Sequence, residues 1–461
     1  MLHRIGLCLA VVLLWSCGSE SKEIIDSADG NGEKEFAQLD SVVFWNDVAT
    51  IVFENCTPCH NSDGSAPFPF TEFIHLKKRT KTIRLAVADG YMPPWPADIE
   101  YSHFKDVKAL EPIEKATILA WIDQGAPEGI QTANSPTPKT ITPGTDRKPD
   151  KTISFPDTVN IKGISRDKFQ LAKIPFELPA DTFIEAIAFK AGNKQLVHHV
   201  NGHLINYAEG MKGDHFSGEW LLDAEKVSSL EAYRKMELSN DDGSYPPLLV
   251  SAFNYLPGVE ATRYPEGLGG INIARKGVFL LNTLHYGPSP VDTTDISEIQ
   301  LFYAEQKPER PLRELHLGTQ GISKIEPEFI IYADSICTFT TRYRIREDIS
   351  VLTVNPHMHL LGKYFEAFAH SKGDTIPMIR IPKWDFRWQF FYTYKNPLKI
   401  PKGYEIVVKA VFDNTMNNPF NPFIPPKTMR ESGEHMKTTD EMFQFFINYV
   451  PYRKGDEDIA L

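Results

Sequence analysis

The run Cys56-Thr57-Pro58-Cys59-His60 sets two thiols three residues apart and follows them directly with an imidazole. Cys-x-x-Cys-His is the attachment signature of c-type haem, in which each thiol adds to a vinyl group and the adjacent His reaches the iron. A redox dithiol or half of a zinc site would use the same cysteines, but neither accounts for the His, and no second Cys pair exists. The candidates for the sixth iron ligand are His75, Met92 and His103. We take Met92, because two prolines in Gly90-Tyr91-Met92-Pro93-Pro94-Trp95 stiffen the loop that would present its thioether. Further along stand His198-His199, then His285 in Leu284-His285-Tyr286-Gly287, then His357 and His359 in Pro356-His357-Met358-His359. Alternate residues of a strand share a face, so His357 and His359 can hold one metal ion. Neighbours point oppositely. His198 and His199 could therefore meet at one ion only through a local twist, or with a ring binding by its nearer nitrogen.

The elements that must position these groups change character along the chain. Phe44, Val48, Ile51 and Val52 fall at helical spacing and lead into the cysteine motif. A second helix should begin near Pro112, carry Ile113, Ala116, Leu119 and Ile122 on one stripe, and stop at Gly125. Two helices around a Met-bearing loop resemble the small cytochrome c architecture. Residues 127–152 are rich in Pro, Thr and Lys without apolar periodicity, which reads as a linker. From Ile153 onward come short alternating or β-branched runs, at 183–189, 277–286, 350–354 and 404–412, between Pro, Gly and Asn turns. Such runs predict antiparallel sandwiches, with one helical insertion at 222–236. The expected fold is multidomain: a small all-α cytochrome c domain (40–130), a linker (131–154), then two all-β antiparallel, jelly-roll-like sandwiches (155–308 and 309–461).

The words Val197-His198-His199, Leu284-His285-Tyr286-Gly287, His357-Met358-His359-Leu360-Leu361-Gly362-Lys363 and Thr439-Asp440-Glu441-Met442 occur in that order. Together they resemble the copper type II, ascorbate-dependent monooxygenases, the family of peptidylglycine hydroxylating and dopamine β-monooxygenases. Trp384-Asp385-Phe386-Arg387-Trp388-Gln389 and Asp413-Asn414-Thr415 add to the likeness, which runs over roughly 155–455. The resemblance implies that His198, His199 and His285 bind a first copper that relays an electron. It implies that His357, His359 and Met442 bind a second copper where O2 and substrate meet. Imidazoles suit copper in both oxidation states and a thioether favours Cu(I). His203 competes for the first site, and His435 or Met436 for the place of Met442. Met358 reads as a packed side chain, and His215, His316 and His370 as surface or structural residues. Peptide-amidating members grip a substrate carboxylate with an Arg two before the His-x-His pair, an Asn two after the Met and a Tyr four after it. Here those positions hold Asn355, Gln444 and Phe446, so a substrate without a carboxylate there is expected.

The implied reaction is hydroxylation of an aliphatic C–H of a small organic substrate with O2 and two electrons. It needs two copper ions, one covalent haem c, and a reductant, either ascorbate or a periplasmic electron donor. An electron-transfer or copper-binding protein without hydroxylase activity, and a peptide-amidating hydroxylase, are the alternatives. A net charge of −11, from 49 Lys plus Arg against 60 Asp plus Glu, disfavours nucleic acid. The first 16 residues place His3 and Arg4 before an apolar run from Ile5 to Trp15, a signal-peptide pattern. Leu14-Trp15-Ser16-Cys17 resembles a bacterial lipobox, which implies a lipid on Cys17 and a polar tether over 17–39. The protein is then exported and anchored to a membrane, at the periplasm or cell surface with the outer membrane favoured, by that lipid only. With Cys8 in the leader and Cys17 as anchor, Cys337 is left alone and reads as a buried small hydrophobe.

Overall fold

A computed structural model describes residues 41–62, 64, 66–139, 147–265, 267–431 and 439–461. The leader, Cys17, the tether, His435 and Met436 lie outside the described residues. No helix among the described residues is long and apolar enough to cross a membrane.

The chain enters through a π-helical turn, Phe44–Val48, that runs into the helix Ala49–Asn55. Phe44, Val48, Val52 and Phe53 are buried, and Phe44 and Phe53 meet edge to face at 6.0 Å. The helix stops before the motif, with Cys56 at its C-cap, so the two thiols stand on a turn and not on a helical face. Two short helices that the periodicity did not signal follow, Phe73–Lys77 and Thr80–Ala88. The helix Pro112–Asp123 starts with Pro at its first turn and a capping box between Glu111 and Glu114. Gly125 ends it at φ +84°, a conformation that suits only a residue without Cβ.

Two antiparallel sandwiches make up the rest. In the first, a four-stranded sheet runs in the order Lys151–Ser154, Glu298–Tyr303, Thr182–Lys190, Ile271–Ile273. A five-stranded sheet, Leu221–Asp223, Lys168–Glu177, Lys276–Tyr286, Val197–Tyr207, Leu248–Tyr255, packs on it, and Ile187, Phe189 and Leu301 of one meet Ile174, Leu204 and Phe279 of the other in one core. The second sandwich stacks Arg313–Gly318, Gln444–Pro451, Ile349–His357, Tyr392–Ile400 on a five-stranded sheet that includes Ile336–Arg344, Glu405–Asp413 and Gly362–Ser371. Val354 and Phe445 meet Phe365 and Phe412 between these layers. Leu352 and Val450 point the other way and complete the core of the first sandwich, so the two sandwiches share a buried face.

Three expectations change. The helical segment is not a separate domain: Ser41–Leu461 form one compact unit. Its residues 97–105 are sewn to the second sandwich, where Asp98 takes two bonds from Arg380 (3.0 and 2.6 Å) and Lys105 N–H donates to Thr393 O at 2.7 Å. Phe104, 1 % exposed, belongs to that sandwich's core. The insertion at 222–236 is a strand, Leu221–Asp223, followed by a shorter helix, Ser229–Lys235. Asp223 accepts from Glu225 N–H in a local turn, and the helix begins only where Ser228 caps Glu231 N–H. Cys337 is half-buried, not buried.

Candidate metal centres and the cavity between them

The first histidine cluster depends on a register shift. In the pairing of Val197–Tyr207 with Lys276–Tyr286, Val197 lies opposite Tyr286 and His199 opposite His285, so the strand carries one extra residue at His198. A bulge turns a side chain away from strict alternation, and the rings of His198, His199 and His285 gather with one nitrogen from each inside a 4.8 Å sphere. The adjacent-residue objection is removed by this local twist. Asp167 Oδ1 accepts from His285 Nε2–H at 2.7 Å, which leaves His285 Nδ1 facing His199 Nδ1 at 3.1 Å. Phe169 stacks on the His285 ring at 4.3 Å and fixes its plane. His198 Nδ1 is buried without a partner. Burial, then the charge of His198, pushes His285 down to about 3, and burial with both neighbours holds His199 well below the usual imidazole range. Neutral rings with lone pairs turned inward form a donor set for a cation.

The second cluster is held by different means. The strand Ile349–His357 ends at His357, so shared strand parity is not what joins the pair; His359 lies in the following loop. Between them Met358 is fully buried in the core. Glu441 clamps this loop, its carboxyl accepting from the N–H groups of His359 (3.1 Å) and Leu361 (2.7 Å), and Trp384 Nε1–H donates to His359 O at 3.2 Å. Burial pushes Glu441 up to about 8 against those bonds. His357 Nδ1–H donates to Gln389 Oε1, whose amide is oriented by Nε2–H to Phe386 O at 2.9 Å. His359 Nδ1–H donates to Asp440 O at 2.7 Å. Both ring protons are thereby on Nδ1, and the two Nε2 lone pairs converge 3.1 Å apart. Nitrogens about 2.0–2.1 Å from a tetrahedral metal stand roughly 3.3–3.4 Å from each other, so the two rings need open only slightly to take an ion. Met442, 3 % exposed, lines the same cavity as both rings.

A small cavity of about 40 Å3 has His199 of the first cluster and His357 and His359 of the second in its walls. A larger one of about 280 Å3 adjoins it between the sandwiches and is lined by His357, His359, Met442, Asn355, Gln444 and Phe446. His203 and His316 also face this space, and His203 is not among the three rings of the first cluster. His215 is buried with Nε2 bonded to Phe176 O at 2.9 Å, and His370 is half-buried with Nε2 3.5 Å from Glu405.

In the helical segment, His60 Nδ1–H donates to Phe68 O at 2.9 Å and the ring stacks on Phe70 at 4.4 Å, which turns Nε2 toward any axial ligation. Cys56 and Cys59 are free thiols, and burial, then Cys59 and Glu114, pushes Cys56 up to about 12. Cys59 Sγ lies 3.5 Å from Pro257 O, and a Cβ on Gly258 (φ +74°) would stand 2.1 Å from that sulfur. Cys59 also borders a cavity of about 800 Å3, walled by Pro93, Pro94 and Trp95 on one side of the sequence and by Val259, Arg263 and Phe390 on the other. Met92 follows the helix Thr80–Ala88 and its N–H donates to Ala86 O at 3.0 Å; His103 is exposed, and its carbonyl accepts from Lys395 N–H. His75 is half-buried, with Nδ1 unpartnered.

Residues 314–457 match the C-terminal domain of the copper type II ascorbate-dependent monooxygenases. The matched stretch falls on the second sandwich. The match takes in His357, His359 and Met442 and stops short of the first cluster. No curated protein matches the chain. Among solved structures, that of the infectious bursal disease virus Gx strain is 8% identical over 65% of this chain and 76% of its own, at a TM-score of 0.16. The Gt strain structure is 8% identical over 68% and 84%, at 0.15. Neither likeness is close enough to inform the fold. Sequence reasoning missed the groups that aim the ligands: Asp167, Gln389, the Asp440 carbonyl and Glu441. The last two sit inside the Thr439-Asp440-Glu441-Met442 word, and Gln389 ends Trp384-Asp385-Phe386-Arg387-Trp388-Gln389, so their neighbourhood was visible although their roles were not.

Proposed function

We propose that the protein is a copper-dependent monooxygenase that hydroxylates an aliphatic C–H of a small organic substrate. The balance is one C–H and O2, with two electrons and two protons, giving one C–OH and one water. The observation that carries this reading is the convergence of the His357 and His359 Nε2 lone pairs at the wall of two adjoining cavities, one lined also by Met442 and the other by His199 of a second, all-histidine cluster.

His198, His199 and His285 would hold one copper, and His357, His359 and Met442 the other. Copper bound at these positions supplies one-electron redox chemistry and O2 activation. The chain's own residues do the rest. Asp167, Gln389 and the Asp440 carbonyl keep the ring protons off the ligating nitrogens, and Glu441 holds the loop that carries His359 against the strand that follows Met442. The larger cavity receives the substrate, and closure of the two sandwiches on their shared apolar face limits water around it.

We further propose that Cys56, Cys59 and His60 hold a haem c, with Met92 as the opposite ligand, and that it feeds electrons to the copper sites. The His60 Nδ1–H to Phe68 O bond supports this by leaving Nε2 to face an iron. Export and lipid attachment at Cys17 belong to the same proposal, since both copper and haem c chemistry suit an oxidising compartment. The test is metal analysis of the mature protein with a reduced-minus-oxidised spectrum and O2 uptake. Two coppers, one covalent haem and substrate-dependent uptake are expected. Zinc at both clusters with no Cu(I) binding sinks the monooxygenase.

A further inference from the structure

The larger cavity between the sandwiches has no Asp, Glu, Lys or Arg among its described lining residues. Much of its wall is apolar, from Leu171, Leu238, Leu280, Phe391 and Phe446. Uncharged polar side chains share the wall, among them Asn201, Asn282, Thr283, Asn355 and Gln444, and two of its histidines lie outside both proposed ligand sets. His203 is 8 % exposed, and its Nδ1 is buried with no hydrogen-bond partner. His316 comes from the other sandwich, stacks on Phe446 at 4.4 Å, and leaves its Nε2 buried and unpartnered. Its remaining ring nitrogen is engaged with the Thr319 backbone. Both rings line the same cavity, one from each sandwich.

Buried ring nitrogens without a partner cost stability unless something bonds to them. With its other nitrogen donating to the backbone, the His316 Nε2 is an acceptor. Burial pushes both rings down to about 4, so neither offers a cation at neutral pH.

We propose that His203 and His316 form a substrate-recognition pair that binds the hydroxyl or amide group of an uncharged, otherwise apolar small molecule, while Asn355, Gln444 and Phe446 give a carboxylate nothing cationic to pair with. This rests on the monooxygenase reading for the identity of the cavity as the substrate site. The size, about 280 Å3, is at the lower end for small-molecule sites. A pair contributed by both sandwiches also makes recognition depend on their registry, since His203 lies on Val197–Tyr207 and His316 on Arg313–Gly318.

The probes are benzyl alcohol, toluene and benzoate, which share a frame and differ in the group offered to the pair. Binding is measured by calorimetry on the full-length copper-loaded protein, with copper content determined for every variant. Benzyl alcohol should bind about tenfold or more tighter than toluene, and benzoate weakest. In His316→Phe the alcohol's advantage over toluene should fall to about twofold or less, with toluene binding kept and two coppers retained. His203→Gln, which keeps a donor and an acceptor, should preserve part of the advantage, and His203→Leu should not. Equal binding of alcohol and toluene, preference for benzoate, binding of none of the three, or a preference that survives in a His203→Leu, His316→Phe double variant overturns the proposal. Loss of one copper in His316→Phe also overturns it, because the ring would then be a ligand. Failure of the metal reading is separate: wild-type protein would take up no copper, whatever the three probes do.

Discussion

The indole of Trp388 lies 6.5 Å from the His198 ring and stacks with Phe390 at 6.3 Å and 14°. Phe390 in turn meets Trp95 at 5.5 Å, three residues beyond Met92. A file of aromatic rings therefore joins the loop of the helical segment to the first histidine cluster. Trp388→Leu should slow the reoxidation of pre-reduced haem in stopped flow while haem and copper contents stay unchanged. A rate that does not move would put the electrons on another route and leave a soluble reductant such as ascorbate as the donor.

Groups that aim the ligands should matter nearly as much as the ligands. Asp167→Asn and Gln389→Leu are each expected to weaken copper binding about 10- to 100-fold at one centre only, read by competition with a Cu(I) chelator. Weakening at both centres, or at neither, would contradict the pairing of Asp167 with His285 and Gln389 with His357.

Met442→Ile should weaken Cu(I) at one centre and abolish hydroxylation, with the haem spectrum intact. If turnover survives, Met436 or His435 becomes the ligand to test.

Acid should act through His203. A ring held near 4 in the folded state and near 6.5 when unfolded binds fewer protons folded than unfolded between those values. Stability contributed by this ring is complete above about pH 6.5, falls as pH drops toward about 4, and is flat below. His203→Gln should therefore lose less stability than wild type between pH 7 and 4.5 in urea titrations, by up to about 2.4 kcal/mol. Equal losses would mean that the ring is not desolvated.

Gly258→Ala should cost about 1–3 kcal/mol more than Gly243→Ala in thermal or urea unfolding. Both glycines have positive φ, but a Cβ at Gly243 meets nothing within 4 Å, whereas at Gly258 it meets Cys59 Sγ. The difference isolates the packing of the cysteine motif on the sandwich.

The sandwiches were legible because their strands carry β-branched, alternating runs, and 277–286 and 404–412 fall on strands within a residue of each end. The ligand words were legible because metal chemistry restricts residue type. The convergence expected of His357 and His359 is present, with their Nε2 atoms 3.1 Å apart, but strand parity is not its cause, since the strand ends at His357 and a carboxyl 82 residues away sets the position of His359. The bulge at His198 is a property of pairing with a distant strand and leaves no local mark. His316 was invisible as a recognition residue because its surroundings, the cavity and Phe446, are assembled from segments far apart in sequence.

The close approach of Gly258 to Cys59 gives the sulfur one closed side and one open side. Pro257 O at 3.5 Å and a turn with no space for one methyl at Gly258 fence it on one flank. On the other it borders the cavity of about 800 Å3 that Trp95 and Phe390 help to wall. Any group joined to this sulfur is therefore steered into that cavity, and a bulkier residue at position 258 would push the sulfur toward it.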